Sequence, residues 1–277
     1  MICFLDQKNQ AFNIFFIILK KVCYDLPKFV NRQPITMRKF LRLLYQPYKF
    51  AVLVPVAFIT MMFLGLLAIS CSLFMDPKWI GRIFGATWSR IIVVFTPVIV
   101  KVTRKGKTPR KQSYVIVANH LSTYDTFLIN GFISKDIKWV MKKELKKIPG
   151  LNFGSKAIGH IFIDRSSAKA ALKSIEEAKN VLTDGICFVF FPEGSRSTTG
   201  TTAKFKRGAF KTAFELNLPI LPVTIKGTDK IMPTNSFDIF PGKVEMIIHH
   251  PVELNGYTYE NVDLLMEKVR DIIMSAY

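Results

Sequence analysis

A histidine and an aspartate stand five positions apart in ANHLSTYD, residues 118–125, directly after a strand-like apolar run at 114–117. In a regular helix this separation leaves two side chains roughly 140° apart. His120 and Asp125 therefore meet only if His120 lies in a turn and Asp125 in the first turn of the next helix. Asn119 tolerates the positive φ that such a turn can need. The carboxylate would hold one imidazole tautomer and leave the other ring nitrogen as a base. A surface histidine beside a capping aspartate would show the same spacing without any chemistry.

A second polar cluster, FFPEGSRS at 190–197, follows the apolar run ICFV. Gly194 lets a ligand approach the backbone, and Arg196 offers a planar fork for phosphate oxygens. Glu193 can fix that fork or accept a hydrogen bond from a hydroxyl group. Structural Glu-Arg turns are also common, so this cluster alone does not decide between binding and structure.

A third cluster, GHIFIDRSS at 159–167, again places polar side chains, Asp164 and Arg165, after a strand-like run. Open α/β sheets build their sites from polar groups at the ends of several strands. The three clusters together therefore indicate one site at one edge of a sheet.

The elements that must position these clusters follow an α/β pattern from about residue 101 onward. Helical stretches separate short β-rich runs; we predict strands at 114–118, 161–163, 186–191, 220–225 and 244–249, and helices at 167–183, 206–216 and 260–275.

An uncharged apolar run covers residues 50–75. As a helix it would be roughly 39 Å long, enough to cross a bilayer core. Basic residues flank it on both sides, so the positive-inside rule gives no orientation. A re-entrant hairpin explains this symmetry, with residues 79–100 as the second arm and Asp76-Pro77 as the bend. A single span and a buried soluble helix are the alternatives.

We thus divide the chain into a weakly ordered basic extension (1–36), a membrane-embedded helical hairpin (37–100) and an α/β domain (101–277).

The charge balance favours anionic partners. Lys and Arg number 39 against 20 Asp and Glu, a net charge of +19 over 277 residues. The basic segment 101–111 is either a solvated loop or a surface for membrane or donor docking. Nucleic acid is not expected, because the aromatic residues do not alternate with the basic ones.

Neither a metal nor a cofactor is expected. The four cysteines lie far apart in the sequence, and His249 and His250 would point to opposite faces of a strand. We interpret the cysteines as reduced and structural.

With these motifs the chain resembles the glycerolipid acyltransferase family, typified by 1-acylglycerol-3-phosphate acyltransferases. His120 and Asp125 match the N-H-x4-D motif of that family. Its other blocks follow in the expected order: KKEL from Lys142, Gly159 with FIDR at 162–165, FPEGSRS at 191–197, FKRG at 205–208 and LPV at 221–223. Ser195 replaces a threonine and keeps its hydroxyl. The likeness covers roughly residues 80–250, and residues 1–36 have no counterpart.

The resemblance implies a mixed sheet flanked by helices and a mechanism without a covalent intermediate. His120 would be the general base and Asp125 would orient it, so the acceptor alkoxide attacks the thioester directly. Arg196, Lys142 and Arg165 would hold the acceptor phosphate. Glu193 would position the glycerol backbone or Arg196, and Gly194 would allow the close approach.

The implied reaction moves a fatty acyl group from acyl-CoA or acyl-carrier protein to the sn-2 hydroxyl of 1-acyl-glycerol-3-phosphate (lysophosphatidic acid). The product would be phosphatidic acid, in phospholipid biosynthesis. The expected partners are the bilayer and these two substrates, with the active site on the cytoplasmic side of the membrane. The alternatives are acylation of another lysolipid and a catalytically silent, membrane lipid-binding protein.

Overall fold

The computed structural model describes residues 43, 45–147, 160–163, 179, 182, 185–197, 203–234, 236 and 238–277. The expected extension at 1–36, Asp164, Arg165 and most of the helix expected at 167–183 lie outside these residues.

A seven-stranded mixed sheet forms the centre of the described structure, with the strand order β1-β7-β6-β2-β5-β3-β4. Its strands are β1 (Val98–Arg104), β2 (Val115–Ala118), β3 (Asp136–Lys142), β4 (Ile161–Ile163), β5 (Ile186–Phe190), β6 (Ile220–Lys226) and β7 (Gly242–Ile248). Strands β2 to β6 are parallel to one another, whereas β7 is antiparallel to β6 and parallel to β1. The expected mixed α/β sheet is confirmed.

Helices cover both faces of this sheet. The labelled helices are α1 (Val54–Cys71), α2 (Ala86–Phe95), α3 (Asp125–Phe132), α4 (Gly208–Leu216), α5 (Thr228–Ile231) and α6 (Val262–Met274). One hydrophobic core joins α4 and α6 to one face of the sheet, and the other joins α2 and α3 to the opposite face. The central strands β2 and β5 are buried along their whole length, as expected for apolar parallel strands covered on both faces.

Two helical arms occur where the hairpin was expected, and its insertion in a membrane stays a prediction. A π-helical turn, Lys49–Leu53, leads into α1, and the second arm runs from Pro77 through another π-helical turn into α2. The arms are antiparallel: the Tyr48 hydroxyl donates to the carbonyl of Phe95 at 2.9 Å, and the Trp88 indole N–H donates to the carbonyl of Ala57 at 3.3 Å. These contacts hold α1 against α2.

The first arm is long and apolar enough to cross a membrane. The continuous helix at 45–71 has 27 residues, and its most apolar 18-residue window has a mean hydropathy of 2.6 and is only 11% buried. Its exposed side chains include Phe58, Phe63 and Leu66. An apolar surface of this extent is unfavourable in water, and it indicates association with a membrane.

The second arm differs from the sequence-based prediction in where it ends and in what it contacts. Strand β1 begins at Val98, so the sheet takes the last residues of the predicted second arm and the first residues of the predicted basic loop. The second arm also packs directly on the α/β unit, because Asn130 donates to Ser89 at 2.9 Å and Arg90 donates to the carbonyl of Gly131 at 2.8 Å. The hairpin is thus anchored on helix α3.

Candidate active site

His120 and Asp125 meet as the sequence spacing requires. His120 lies in the turn after β2, and Asp125 is the first residue of α3. The imidazole Nδ1 lies 2.8 Å from Oδ2 of Asp125. The Asp125 side chain is fully buried, whereas 16% of the His120 side chain is exposed. Nδ1 therefore carries the proton towards the carboxylate, and Nε2 is left as the basic nitrogen.

Asp125 is fixed by more than the imidazole. Its Oδ2 also accepts the backbone N–H groups of Leu121 and Ser122, at 2.8 and 2.9 Å. Its Oδ1 accepts the hydroxyl hydrogen bond of Thr228. An ionised carboxylate only accepts hydrogen bonds, and these four donors match that form.

Asn119 has a structural role that differs from the one expected. It does not have the positive φ predicted for the turn. Its buried amide instead bonds the backbone of Ile225 on β6, accepting from the N–H at 2.7 Å and donating to the carbonyl at 2.9 Å. It also donates to the Tyr277 hydroxyl at 2.9 Å. Asn119 thus continues the pairing of β2 with β6 for one more residue and fixes the start of the turn that carries His120.

Aromatic rings cover one side of the base. The His120 ring stacks on Phe191, and Phe191 stacks on Trp139 with ring centroids 5.9 Å apart. Trp139 comes from β3 and Phe191 follows β5. Neither ring was expected in the site, although Phe191 begins the FPEGSRS motif.

Glu193 joins the second cluster to the dyad. Its Oε1 accepts the backbone N–H of His120 at 2.9 Å, and its Oε2 accepts the backbone N–H of Ala203 at 2.9 Å. Burial raises the pKa of this carboxyl group, and the two backbone N–H bonds oppose that rise. The expected contact was Arg196 or a substrate hydroxyl. Glu193 instead connects the turn at His120 with the chain at Ala203, because each of its carboxylate oxygens accepts a backbone N–H.

A backbone hydrogen bond also joins the first two clusters, because the Ser197 N–H donates to the carbonyl of His120 at 2.8 Å. The first two clusters therefore lie together as expected. Strand β4, which lies within the third cluster, ends at the same edge of the sheet.

Gly194 adopts a φ of +76°, and a Cβ there would lie 2.7 Å from Nζ of Lys206. A side chain would be strained by the backbone and would collide with this lysine. Lys206 thus places a cation over the 192–197 loop, and its FKRG segment was the sequence signal for it.

Arg196 is exposed, and its Nη1 donates to the Thr123 hydroxyl at 2.8 Å. The fork therefore lies beside the turn that carries the base. Of the other predicted cations, Lys142 ends β3, at the same edge of the sheet, but its side chain lies outside the described part, as does Arg165.

The basic segment that follows β1 lies at the opposite edge. Strand β1 is antiparallel to β2, so it ends near the start of β2. Lys135, which precedes β3, donates to the carbonyls of Pro109 and Gln112 and holds the segment there. The length of the strands, about 20 Å, separates it from His120. This position disfavours the predicted donor docking at residues 101–111.

A base held by a buried carboxylate lies at the edge where five parallel strands end, an arrangement that α/β enzymes use for sites built from loops. No cluster of three or more potential metal-ligating side chains occurs among the described residues.

Comparison with known proteins identifies the family. Residues 99–226 match the model of the family described as Acyltransferase. The 1-acyl-sn-glycerol-3-phosphate acyltransferase of Saccharomyces cerevisiae is 30% identical over 234 residues, which is 83% of this chain and 76% of the yeast protein. The chain belongs to the acyltransferase family.

Other relatives agree with this assignment. A 1-acyl-sn-glycerol-3-phosphate acyltransferase of Chlamydomonas reinhardtii is 29% identical over 62% of this chain, which spans only about half (51%) of the algal protein. The crystal structure of the 1-acyl-sn-glycerophosphate (LPA) acyltransferase PlsC from Thermotoga maritima matches with a TM-score of 0.68 and 30% identity, covering 86% of this chain and 95% of that one.

Proposed function

We propose that this protein transfers a fatty acyl group from a thioester donor to the sn-2 hydroxyl of 1-acyl-glycerol-3-phosphate, forming phosphatidic acid for phospholipid synthesis. The observation that carries the proposal is the His120–Asp125 pair, with Nδ1 bonded to the buried carboxylate and the imidazole partly exposed. The names of the relatives supply the substrate class.

The reaction needs only a base and a place for the acceptor. Nε2 of His120 takes the proton of the acceptor hydroxyl as its oxygen bonds to the thioester carbonyl carbon. The tetrahedral intermediate then collapses, the carbon–sulfur bond breaks, and the imidazolium returns the proton to the thiolate. Cys187 is not suited to be a nucleophile in this reaction, because it is buried and burial raises the pKa of its thiol to about 12.

The acceptor phosphate is proposed to bind Arg196, with Lys142 and Arg165 as further cations. Arg196 supports this role because it is exposed beside the base and its guanidinium is oriented by Thr123. Lys206, over Gly194, adds positive charge to the same loop. A dianionic head group in a partly dry site needs such paired cations.

The donor is proposed to be acyl-CoA or acyl-carrier protein, without any cofactor. The hairpin is proposed to keep the domain on the cytoplasmic face of the membrane, where both donors occur. Support for the membrane contact comes from the exposed apolar surface of α1.

The decisive experiment measures thiol release from a long-chain acyl-CoA with lysophosphatidic acid, using detergent-solubilised wild type and His120→Ala. We expect His120→Ala to lower turnover by a factor of roughly 10²–10⁴, the usual contribution of a positioned base. The variant keeps every cysteine, so it also corrects for reaction of the protein's own thiols with the reagent.

The same assay tests the alternatives. Equal rates with monoacylglycerol, which lacks the phosphate, would contradict binding of the acceptor through its phosphate, and equal rates with lysophosphatidylcholine would support acylation of another lysolipid. Binding of lysophosphatidic acid without thiol release, from either donor, would support the silent lipid-binding protein.

A further inference from the structure

Glycine 227 directs the chain back towards the dyad. Strand β6 ends at Lys226, and Gly227 follows with a φ of +83°. A Cβ at Gly227 would lie 2.7 Å from the carbonyl oxygen of Lys243. Only glycine occupies such a crowded, left-handed position without strain. The sharp turn places Thr228, the first residue of α5, at the active-site edge.

The segment 228–234 contacts the catalytic turn at three points. Besides the Thr228–Asp125 bond, Ser122 Oγ donates to the carbonyl of Met232 at 2.6 Å, and Thr234 Oγ1 donates to the carbonyl of Leu121 at 3.1 Å. The short helix α5 is therefore bonded to the catalytic turn through its first residue and through two residues that follow its end. None of the sequence motifs contains this segment.

The bond from Thr228 differs from the other two because it reaches the catalytic carboxylate itself. Thr228 and Asp125 are both completely buried. Among the described residues, Thr228 is the only side chain other than His120 that bonds Asp125. Water has no access to replace its hydroxyl.

We propose that Thr228 is a positioning residue of the dyad: its hydroxyl occupies Oδ1 of Asp125 so that Oδ2 stays directed at Nδ1 of His120. The inference deepens the proposed function and rests on it for the reaction. Without the hydroxyl, Oδ1 would be a buried acceptor with no donor, an unfavourable state that a carboxylate relieves by rotating or by binding a proton. Either change disturbs the hydrogen bond to His120.

Loss of the hydroxyl also has a defined effect on pH dependence. A hydrogen bond to a carboxylate stabilises its ionised form, so the carboxylate becomes more basic when the donor is removed. A more basic carboxylate attracts the imidazolium more strongly, so the variant would keep the proton on the base to higher pH than wild type. The acid limb of the activity profile should therefore move upward.

The test compares Thr228→Val, which has the same shape without the hydroxyl, with Thr228→Ser, which keeps it. Thr212→Val is the matched control, because the Thr212 hydroxyl is also buried but donates to the carbonyl of Gly208 within α4. We expect Thr228→Val to lower kcat by roughly ten- to hundredfold, with both KM values within about twofold of wild type. Its acid limb should rise by about half to one pH unit. Thr228→Ser and Thr212→Val should stay within about threefold of wild type in kcat.

A second readout needs no substrate. Diethyl pyrocarbonate modifies the neutral imidazole, so the pH dependence of His120 modification, followed by peptide mass spectrometry, reports on the dyad directly. We expect the midpoint for Thr228→Val to lie above that of wild type. If wild type releases no thiol and this midpoint still shifts, the proposed reaction fails and the positioning role stands.

Two results would overturn the positioning role. One is a Thr228→Val protein with the kcat and the modification midpoint of wild type. The other is a lower kcat with both pH profiles unchanged and a lowered Tm, which would show that Thr228 only stabilises the fold.

Discussion

The imidazole ring of His120 lies flat against the phenyl ring of Phe191, with ring centroids 3.9 Å apart and an angle of 11° between the planes. Because these residues follow neighbouring strands, β2 and β5, the contact joins two strand ends. It covers one face of the base with an apolar surface. The carboxylate fixes the ring at Nδ1, and the stack fixes its plane.

Removing the stacked ring should therefore weaken catalysis more than binding. We expect Phe191→Ala to lower kcat by about tenfold, as the imidazole gains rotational freedom and its face gains water. Phe191→Tyr, which keeps the ring, should remain near wild type. The measurement is steady-state thiol release with each substrate varied. A Phe191→Ala enzyme with an unchanged kcat would show that Asp125 alone positions the base.

Asp125→Asn should separate charge from orientation. Two backbone N–H groups point at Oδ2, so the amide oxygen is expected to occupy that place and the amide nitrogen to face Thr228. The imidazole tautomer is then kept, and only the negative charge is lost. We expect the kcat of Asp125→Asn to be lower than that of wild type by roughly 10²–10³. The kcat of Asp125→Ala should be lower still, near that of His120→Ala. Equal kcat values for both Asp125 variants would contradict this separation.

Glu193 should not tolerate replacement by glutamine, even though the shape is kept. Both carboxylate oxygens accept a backbone N–H, from His120 and from Ala203, and an amide offers only one acceptor. In Glu193→Gln one N–H would face the NH₂ group. We expect a loss of about tenfold or more in kcat/KM for both substrates, together with a lowered Tm. A change in the acceptor KM alone would instead indicate that Glu193 binds substrate.

Much of the sheet could be predicted from the sequence because its central strands are apolar runs without interruption. Strands β1 and β3 could not. In β1 the apolar half continues the hairpin pattern and the charged half resembles a loop. In β3, Lys138 interrupts the apolar pattern, yet only 1% of its surface is exposed and its Nζ lies 3.4 Å from Oδ1 of Asp136. Burial of a charge beside its partner leaves no trace in hydrophobic periodicity.

The dyad could be predicted because its two members share one turn. Its supports could not, because they come from distant segments: Thr228 is 103 positions from Asp125, and the Asn119 amide bonds a strand 106 positions away. Only the order of strands in the sheet brings these side chains together. The role expected of Glu193 changed for the same reason, since backbone N–H groups from two loops meet there.

Arg196→Lys should weaken acceptor binding specifically. Nη1 of Arg196 is bonded to the Thr123 hydroxyl, which leaves the other side of the fork for phosphate oxygens. Lysine keeps the charge but cannot make both contacts. We expect the KM for lysophosphatidic acid to rise by roughly ten- to hundredfold, while the KM for acyl-CoA is unchanged.

Thr123→Val is the companion variant, since it removes the orienting hydroxyl and keeps the guanidinium. Its acceptor KM should rise less than that of Arg196→Lys, and its donor KM should not change. If Arg196→Lys keeps a normal acceptor KM, the phosphate is held elsewhere, and Lys142, Arg165 and Lys206 are the next variants to measure.

Acid sensitivity should depend in part on His249, a buried residue outside the site. Burial, with smaller contributions from Lys105 and His250, lowers the pKa of His249 to about 4. Its Nε2 lies 2.8 Å from Oγ1 of Thr224, which donates its own hydrogen to the carbonyl of Ile273. Nε2 therefore carries a hydrogen and donates to Thr224. The lowered pKa means that the imidazole is neutral in the folded protein near pH 7.

The direction of the pH effect follows from this lowered pKa. The unfolded chain binds a proton at about pH 6.5, whereas the folded chain does so only near pH 4. The free energy of unfolding should therefore be highest above about pH 6.5 and should fall as the pH drops towards 4. His249→Gln keeps a donor for Thr224 and does not titrate, so its urea midpoint should fall less steeply between pH 7 and 4.5. The urea midpoint of His249→Gln should still fall somewhat with decreasing pH, because burial also lowers the pKa of His160, to about 3. Parallel curves for wild type and His249→Gln would show that His249 does not control this acid sensitivity.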